Sequence, residues 1–365
     1  MDLTDRISEL TVSAYTVPTD LPESDGTLKW DSTTLVLVKI EAGGCSGLGY
    51  TYGDMSIASF IFRVLRPVVL NQSPYTNSEI FNKMLSMIRN EGECGMAYMA
   101  ISAVDVALWD LKAKLLGLPL CTLIGQARRD AKVYGSGGFT SYTDEQLRKQ
   151  LGGWAQQGFS AFKIKIGRQR DQDPKRIALA REVIGRDADL FIDANGAFHP
   201  KKALQLLDRV SSSDVSWFEE PVSSDDLPGM AFVRERSSAN VWVAAGEYGY
   251  NPGYFKKMLQ HHAVDVLQAD ATRCGGITGF MKAAVLSEAF HIPFSFHCAP
   301  ALHLHPALCV NGFYIGEYFH DHARIEQMFF DGASPPVNGY LEPDLSRPGL
   351  GLNFKYQDAE RFRVS

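Results

Sequence analysis

The segments AFKIKIG (161–167), DLFIDANG (189–196) and VSWFEEP (215–221) decide how this chain folds. Each is an apolar run of strand length that closes on a charged side chain. Amphipathic helical stretches, DPKRIALAREVIG (173–185) and HPKKALQLLDRV (199–210), separate them. Outward from these three the rhythm continues, with KVYGSGG (132–138) before them. VWVAAGE (241–247), VDVLQAD (264–270), IPFSFH (292–297) and GFYIGEYF (312–319) come after. Strand–helix alternation repeated about eight times predicts a parallel sheet closed into a barrel, with its chemistry at the C-terminal ends of the strands.

Those ends carry ionisable groups in phase with the repeat. Lys163 and Lys165 share one face of their strand, as do Asp193 and Asn195 on the next. From Lys165 through Asp193, Glu219, Glu247, Asp270 and His297 to Glu317 the steps are 28, 26, 28, 23, 27 and 20 residues, each about one βα unit. Read alone, any of these is a solvated rim residue or a structural ion pair. Seven in register imply one mouth crowded with carboxylates, which is costly without a counter-ion. Asp193, Glu219 and Glu247, on consecutive strands, form an all-oxygen set suited to Mg²⁺, with Mn²⁺ the alternative. Glu220 rivals Glu219, because alternation sends the two to opposite faces and the pattern does not choose between them.

Groups that move protons flank this trio. Lys165, beside Lys163, is expected to have a lowered pKa and to act as a general base. Asp270 and His297 read as a dyad in which the acid orients the ring and raises its basicity. Glu317 reads as a protonated donor to a developing enolate oxygen. Cys298 reads as a small apolar residue near a strand end, and His303 and His305 as exposed or helix-capping. A carboxylate-binding divalent ion with bases on both sides is the chemistry of α-proton abstraction from a carboxylic acid.

The rest of the chain bounds this reading. At 365 residues it has room for two domains. The net charge of −6 argues against nucleic acid or a membrane surface as partner. MDLTDRISEL lacks the pattern of a signal peptide, no apolar run is long enough to span a bilayer, and the six cysteines form no CxxC pair. A cytoplasmic protein with reduced thiols is expected. Ahead of the barrel, SELTVSAYTV (8–17) and STTLVLVKIEA (32–42) predict two strands joined by a long exposed loop, PTDLPESDGTLKW (18–30). Three helical stretches follow, 55–70, 76–90 with a Thr76 or Asn77 cap, and 96–117, so residues 1–125 read as an α+β domain. The barrel spans 126–325, and the turn-rich residues from about 326 to 365 return to the first domain.

KIKIG, DANG, WFEEP, AAGE and QADATRCGGITG (268–279), with His297 and Glu317, resemble the enolase superfamily and specifically its mandelate racemase subgroup. AISAVDVALWDLKAKLLGLPLCTLIG (100–125) and PGLGL (348–352) extend the resemblance over nearly the whole chain. It implies a modified TIM barrel, (β/α)₇β, under an N-terminal α+β capping domain. It also implies Mg²⁺ on Asp193, Glu219 and Glu247, which favours the first glutamate of the pair. Lys165 and the His297–Asp270 dyad become the bases, Lys163 an electrostatic neighbour and Glu317 the enolate stabiliser. Cap loops around Leu21–Trp30 and Tyr50–Asp54 would close over a small carboxylate substrate, with Trp30, Tyr52 and Asn195 as binding residues. Homo-oligomers, dimer or octamer, are the pattern among such relatives. QAD in place of the more usual QPD, and Phe296 before His297, bear on pocket shape. Dehydration of an acid sugar is the expected reaction, with racemisation, epimerisation or cycloisomerisation as the alternative. A metal-binding barrel without turnover is the reading from another class.

Overall fold

A computed structural model describes residues 4–364. Eight strands, β4 (Ala131–Gly137), β5 (Ala161–Lys165), β6 (Asp189–Asp193), β7 (Val215–Glu219), β8 (Trp242–Ala245), β9 (Val266–Ala269), β10 (Phe294–Phe296) and β11 (Phe313–Phe319), pair in parallel and in chain order. β11 pairs with β4, Glu317 opposite Tyr134, and closes the barrel. The predicted barrel is therefore present, with each strand where its apolar run placed it. Tyr134, Phe191, Trp217, Val266 and Ile315 fill the interior, the Phe191 and Trp217 rings stacked at 4.9 Å. This apolar plug floors the catalytic mouth. The helix after β11, His320–Phe329, turns towards the cap, where the Tyr50 hydroxyl bonds to Glu326 and Arg324 Nη2 donates to Pro18 O.

The cap differs from expectation in three places. Its sheet is three-stranded and antiparallel, with β1 (Glu9–Ser24), β2 (Lys29–Ala42) and an unforeseen β3 (Cys45–Tyr52). Gly47 and Gly49 hid β3 by breaking the apolar alternation. They are needed because the helix Met96–Leu115 lies on that strand, where an added Cβ would come within 2.2 Å of the Ala107 and Ala103 carbonyls. Residues 18–30 are no exposed loop. The β1–β2 hairpin continues through them after a register shift between Pro18 and Glu23, and Glu23 and Ser24 are each 1% exposed. Thr76 does not cap its helix: its hydroxyl donates back to Ser73 O.

Polar groups on the long cap helix fasten the two parts. Asp105 accepts from the Thr278 amide and hydroxyl, and Asp110 accepts from the Leu48 and Leu350 amides, so these acids are buried but satisfied. The C-terminal segment is shared between the parts. Tyr340–Leu341 pairs with the start of β4, whereas Val364 N donates to Ala14 O of the cap. No helix of the described residues is long and apolar enough to cross a membrane.

His303 and His305 are buried, contrary to expectation. His303 Nε2 accepts from Ala271 N at 2.7 Å while Nδ1 lies 2.9 Å from Cys298 O, so one ring bridges the turns that follow β9 and β10. His305 Nδ1 accepts from Cys121 N, and burial brings its pKa from 6.5 down to about 4. With the folded-state pKa depressed, its contribution is intact above pH 6.5 and is lost as pH falls through 4. Between pH 7.5 and 4.5 the wild type should lose about 2.5 kcal/mol more stability than His305→Gln. Denaturant melts at the two pH values measure this, and parallel losses would rule it out.

Candidate active site

Sheet register gathers the site. Lys165 pairs with Asp193, and Asp193 with Glu219, so three strand ends form one row around the mouth. Sharp turns follow: Asn195, Glu220 and Cys298 have φ of +44, +37 and +54°, where a side chain is strained. Because of its turn, Glu220 does not obey strand alternation; it stays buried, with Oε1 lacking a partner. Burial first, then Glu247, raises its pKa well above the usual carboxylate range.

Asp193, Glu219 and Glu247 offer carboxylate oxygens that lie within 4.8 Å of one another, and Glu220 is outside this set. All three are buried, and Glu247 Oε2 has no hydrogen-bond partner among the described residues. An all-oxygen trio with one orphaned oxygen fits a hard divalent cation. Lys163 balances the charge from below, 2.6 Å from Glu219, 2.7 Å from Glu317 and 3.7 Å from Asp193. Glu219 is further held by Trp217 Nε1 and Gln268 Nε2, each at 3.0 Å. Lys165 Nζ contacts Asp193 Oδ2 at 2.5 Å. Burial is the largest influence and, with Lys163, disfavours its charge, but Asp193 joined by Glu317 and Glu219 outweighs both, so its pKa is raised. This corrects the expectation of a lowered value, because the sequence spacing showed the neighbouring lysine and not the carboxylate between them.

The dyad is formed, with His297 Nδ1 2.8 Å from Asp270 Oδ2. Nε2 faces Glu247 at 3.4 Å and Glu317 at 3.6 Å. Burial opposes protonation, yet these carboxylates and Asp270 raise the His297 pKa. Glu317 is the second correction. It accepts from Ser136 Oγ and Cys298 N beside the Lys163 ammonium, and although burial disfavours charge, Lys163 and then His297 hold its pKa well below the usual range. It is an ionised acceptor, not a protonated donor. Cys298 Sγ lies 3.2 Å from His297 Nε2, so it borders the dyad.

A cleft of about 410 Å³ opens over this mouth, lined by Lys165, Asn195, Glu247, Arg273 and His297 on the barrel side and by Trp30 and Tyr52 on the cap side. Asn195 Oδ1 is buried without a partner, whereas the Trp30 indole N–H is taken by Glu23, leaving Trp30 as an apolar wall. Sequence reading missed Tyr134, Ser136, Trp217, Gln268 and His322. The first four were within reach of the period-two rule: Tyr134 and Ser136 share a face, Trp217 stands two before Glu219 and Gln268 two before Asp270.

The hairpin tip seats directly on the barrel. Thr140 N donates to Ser24 O, Arg168 Nε donates to Asp25 O, and a Cβ on Gly26 would fall 2.2 Å from Ala194 O, beside Asp193 and Asn195. Gly26→Ala should lift the tip and lower kcat/KM by up to about 10²-fold, the effect of an ~1 Å misplacement. The thermal midpoint should stay near wild type; unchanged kinetics would show that the tip does not shape the cleft.

Comparison with known proteins agrees with this geometry. Residues 9–125 match the family described as mandelate racemase / muconate lactonizing enzyme, N-terminal domain, and residues 146–359 match the enolase C-terminal domain-like family. D-galactarolactone cycloisomerase of Agrobacterium fabrum is 29% identical, covering 94% of this chain and 95% of that protein. A mandelate racemase/muconate lactonizing enzyme-like protein from Rubrobacter xylanophilus superposes with a TM-score of 0.96 at 47% identity, over 98% of this chain and all of that one. L-talarate/galactarate dehydratase from Salmonella typhimurium, solved with Mg and L-lyxarohydroxamate, gives 0.90 at 26% identity, over 99% of this chain and 94% of that one. The chain belongs to the mandelate racemase / muconate lactonizing enzyme family of the enolase superfamily, a family of lyases and isomerases.

Proposed function

We propose that this enzyme removes the proton from the carbon next to a carboxylate and expels a hydroxyl from the next carbon, converting an acid sugar to a 2-keto-3-deoxy acid. The observation that carries the reading is the placing of proton-transfer groups around one carboxylate trio. Lys165 ends β5, and His297 and Asp270 of the dyad directly follow β10 and β9, so the two sides of a bound acid face different groups. Asp193, Glu219 and Glu247 would hold Mg²⁺, whose positive charge, when bound, offsets negative charge growing on the substrate carboxylate. With Mg²⁺ on Asp193 offsetting the carboxylate that raises its pKa, Lys165 would take the α-proton as a neutral amine. His297, whose surroundings favour the imidazolium, gives its Nε2 proton to the departing β-hydroxyl, which leaves as water. The enol that remains relaxes to the ketone. Asn195, Trp30 and Tyr52 line the space for the substrate.

The test incubates enzyme and Mg²⁺ with a panel of acid sugars in D₂O, following 2-keto product and α-deuterium by NMR. Ketone formation supports dehydration. Exchange or cyclised product without ketone would replace it with epimerisation or cycloisomerisation, the latter favoured by the likeness to a galactarolactone cycloisomerase. Absence of exchange with every acid would overturn α-proton abstraction itself.

A further inference from the structure

On the cap side of the cleft, two polar atoms have no hydrogen-bond partner among the described residues: the Tyr52 hydroxyl and His322 Nδ1. Tyr52 ends β3 and His322 lies in the first turn of the helix after β11, so one comes from the cap and the other from the barrel. Their rings stack with centroids 3.5 Å apart and an interplanar angle of 13°. They are 6% and 7% exposed, and each lines the cleft. A buried polar atom without a partner is expensive, and a stacked pair of such rings in the wall of a cleft is prepared for hydrogen bonds from a ligand.

The charge around the pair narrows what that ligand end can be. Burial keeps the phenol protonated and brings the His322 pKa down to about 3, despite Asp270, so both rings are neutral. Nearby lining from β2 consists of the hydroxyl residues Ser32, Thr33 and Thr34, and Asp54 is the charged neighbour. The cations lining the cleft, among the described residues, are Lys165, Arg273 and the protonated form of His297, the last held among Asp270, Glu247 and Glu317. Lys165 is held by Asp193. Arg273 is shared between Glu247 at 3.3 Å and Asp270 at 3.6 Å, with its guanidinium over the Tyr248 ring. A second carboxylate placed here would meet neutral rings and an aspartate, with each nearby cation already paired to a carboxylate, and would lose its hydration without compensation. A hydroxyl can both donate to and accept from this pair.

We infer that Tyr52 and His322 form the subsite for the end of the substrate remote from the reacting carboxylate, and that the subsite selects acid sugars with one carboxylate over their dicarboxylic counterparts. This rests on the proposed function and names the substrate class within it. The experiment uses the full chain with Mg²⁺ and matched acids, D-gluconate with D-glucarate and D-galactonate with galactarate among a wider panel of such pairs. It follows α-proton exchange and ketone formation for each. The aldonate that reacts should exceed its aldarate in kcat/KM by about 10²-fold or more, since a site built for a hydroxyl discriminates strongly. Tyr52→Phe and His322→Phe, which keep the stacked rings, should each raise the KM for that aldonate about tenfold, with Mg²⁺ affinity and thermal midpoint unchanged. Preference for the aldarate, or an unchanged KM in both variants, overturns the subsite and leaves α-proton abstraction standing. Absence of exchange with every acid overturns the functional reading, and the subsite with it.

Discussion

Lys165→Met abolishes α-proton exchange and product formation together, each by about 10²- to 10⁴-fold, the range a positioned general base supplies. Methionine keeps the length of the stem in a nearly closed position and removes only the amine. Lys163 cannot substitute, because its fully buried ammonium lies beneath the mouth, bonded to Glu219 and Glu317, and does not line the cleft as Lys165 does. Asp193 is not stranded by the change, since it still accepts from Asn195 N and lies 3.7 Å from Lys163, so the fold should survive. His297→Asn gives the contrasting result. Ketone formation falls by a comparable factor, while exchange of the α-proton continues because Lys165 is intact. NMR of the acid sugar in D₂O reads both signals in one tube. Full turnover in His297→Asn would remove the dyad from the mechanism, and exchange retained in Lys165→Met would move the base elsewhere.

How legible was this site? The barrel and its row of strand ends were readable because a parallel barrel repeats one simple instruction, an apolar run ending in a side chain at the mouth. What the pattern could not carry is the direction of charge between neighbours. Lys165 was assigned a lowered pKa from Lys163, yet Asp193 across the register, with Glu317 and Glu219, reverses the sign. Glu317 was read as a proton donor, yet Lys163, Ser136 and the Cys298 amide converge on it. Both errors concern partners 19 or more positions away in sequence, which only the closing of the barrel brings together. The cap was less readable for a different reason. Residues 18–30 are polar because they meet the barrel mouth, and the same polarity in a sequence signals exposure. His322 is invisible at that level, since nothing about HDHARIEQ marks a ring stacked under Tyr52.

Glu247→Gln should abolish turnover and weaken Mg²⁺ binding by at least the ~10- to 100-fold that loss of even an outer-shell partner costs. This position separates metal binding from structure better than its companions. Asp193 and Glu219 also hold Lys165 and Lys163, so their removal disturbs the buried ion-pair network along with any metal. Glu247 Oε2, in contrast, has no hydrogen-bond partner among the described residues and only the His297 ring 3.4 Å away, and Oε1 receives a long contact from Arg273 at 3.3 Å. An amide there keeps the shape and removes the charge. Glu220→Gln is the matched control: burial and Glu247 already favour its neutral acid, for which glutamine is nearly isosteric, so Mg²⁺ affinity should change little. Calorimetric titration of Mg²⁺ into each variant separates binding from catalysis. Loss of affinity in Glu220→Gln with none in Glu219→Gln would transfer the ligand role to the second glutamate. Unchanged affinity in Glu247→Gln would break the trio, and with it the argument that the crowded carboxylates at this mouth exist to hold a cation.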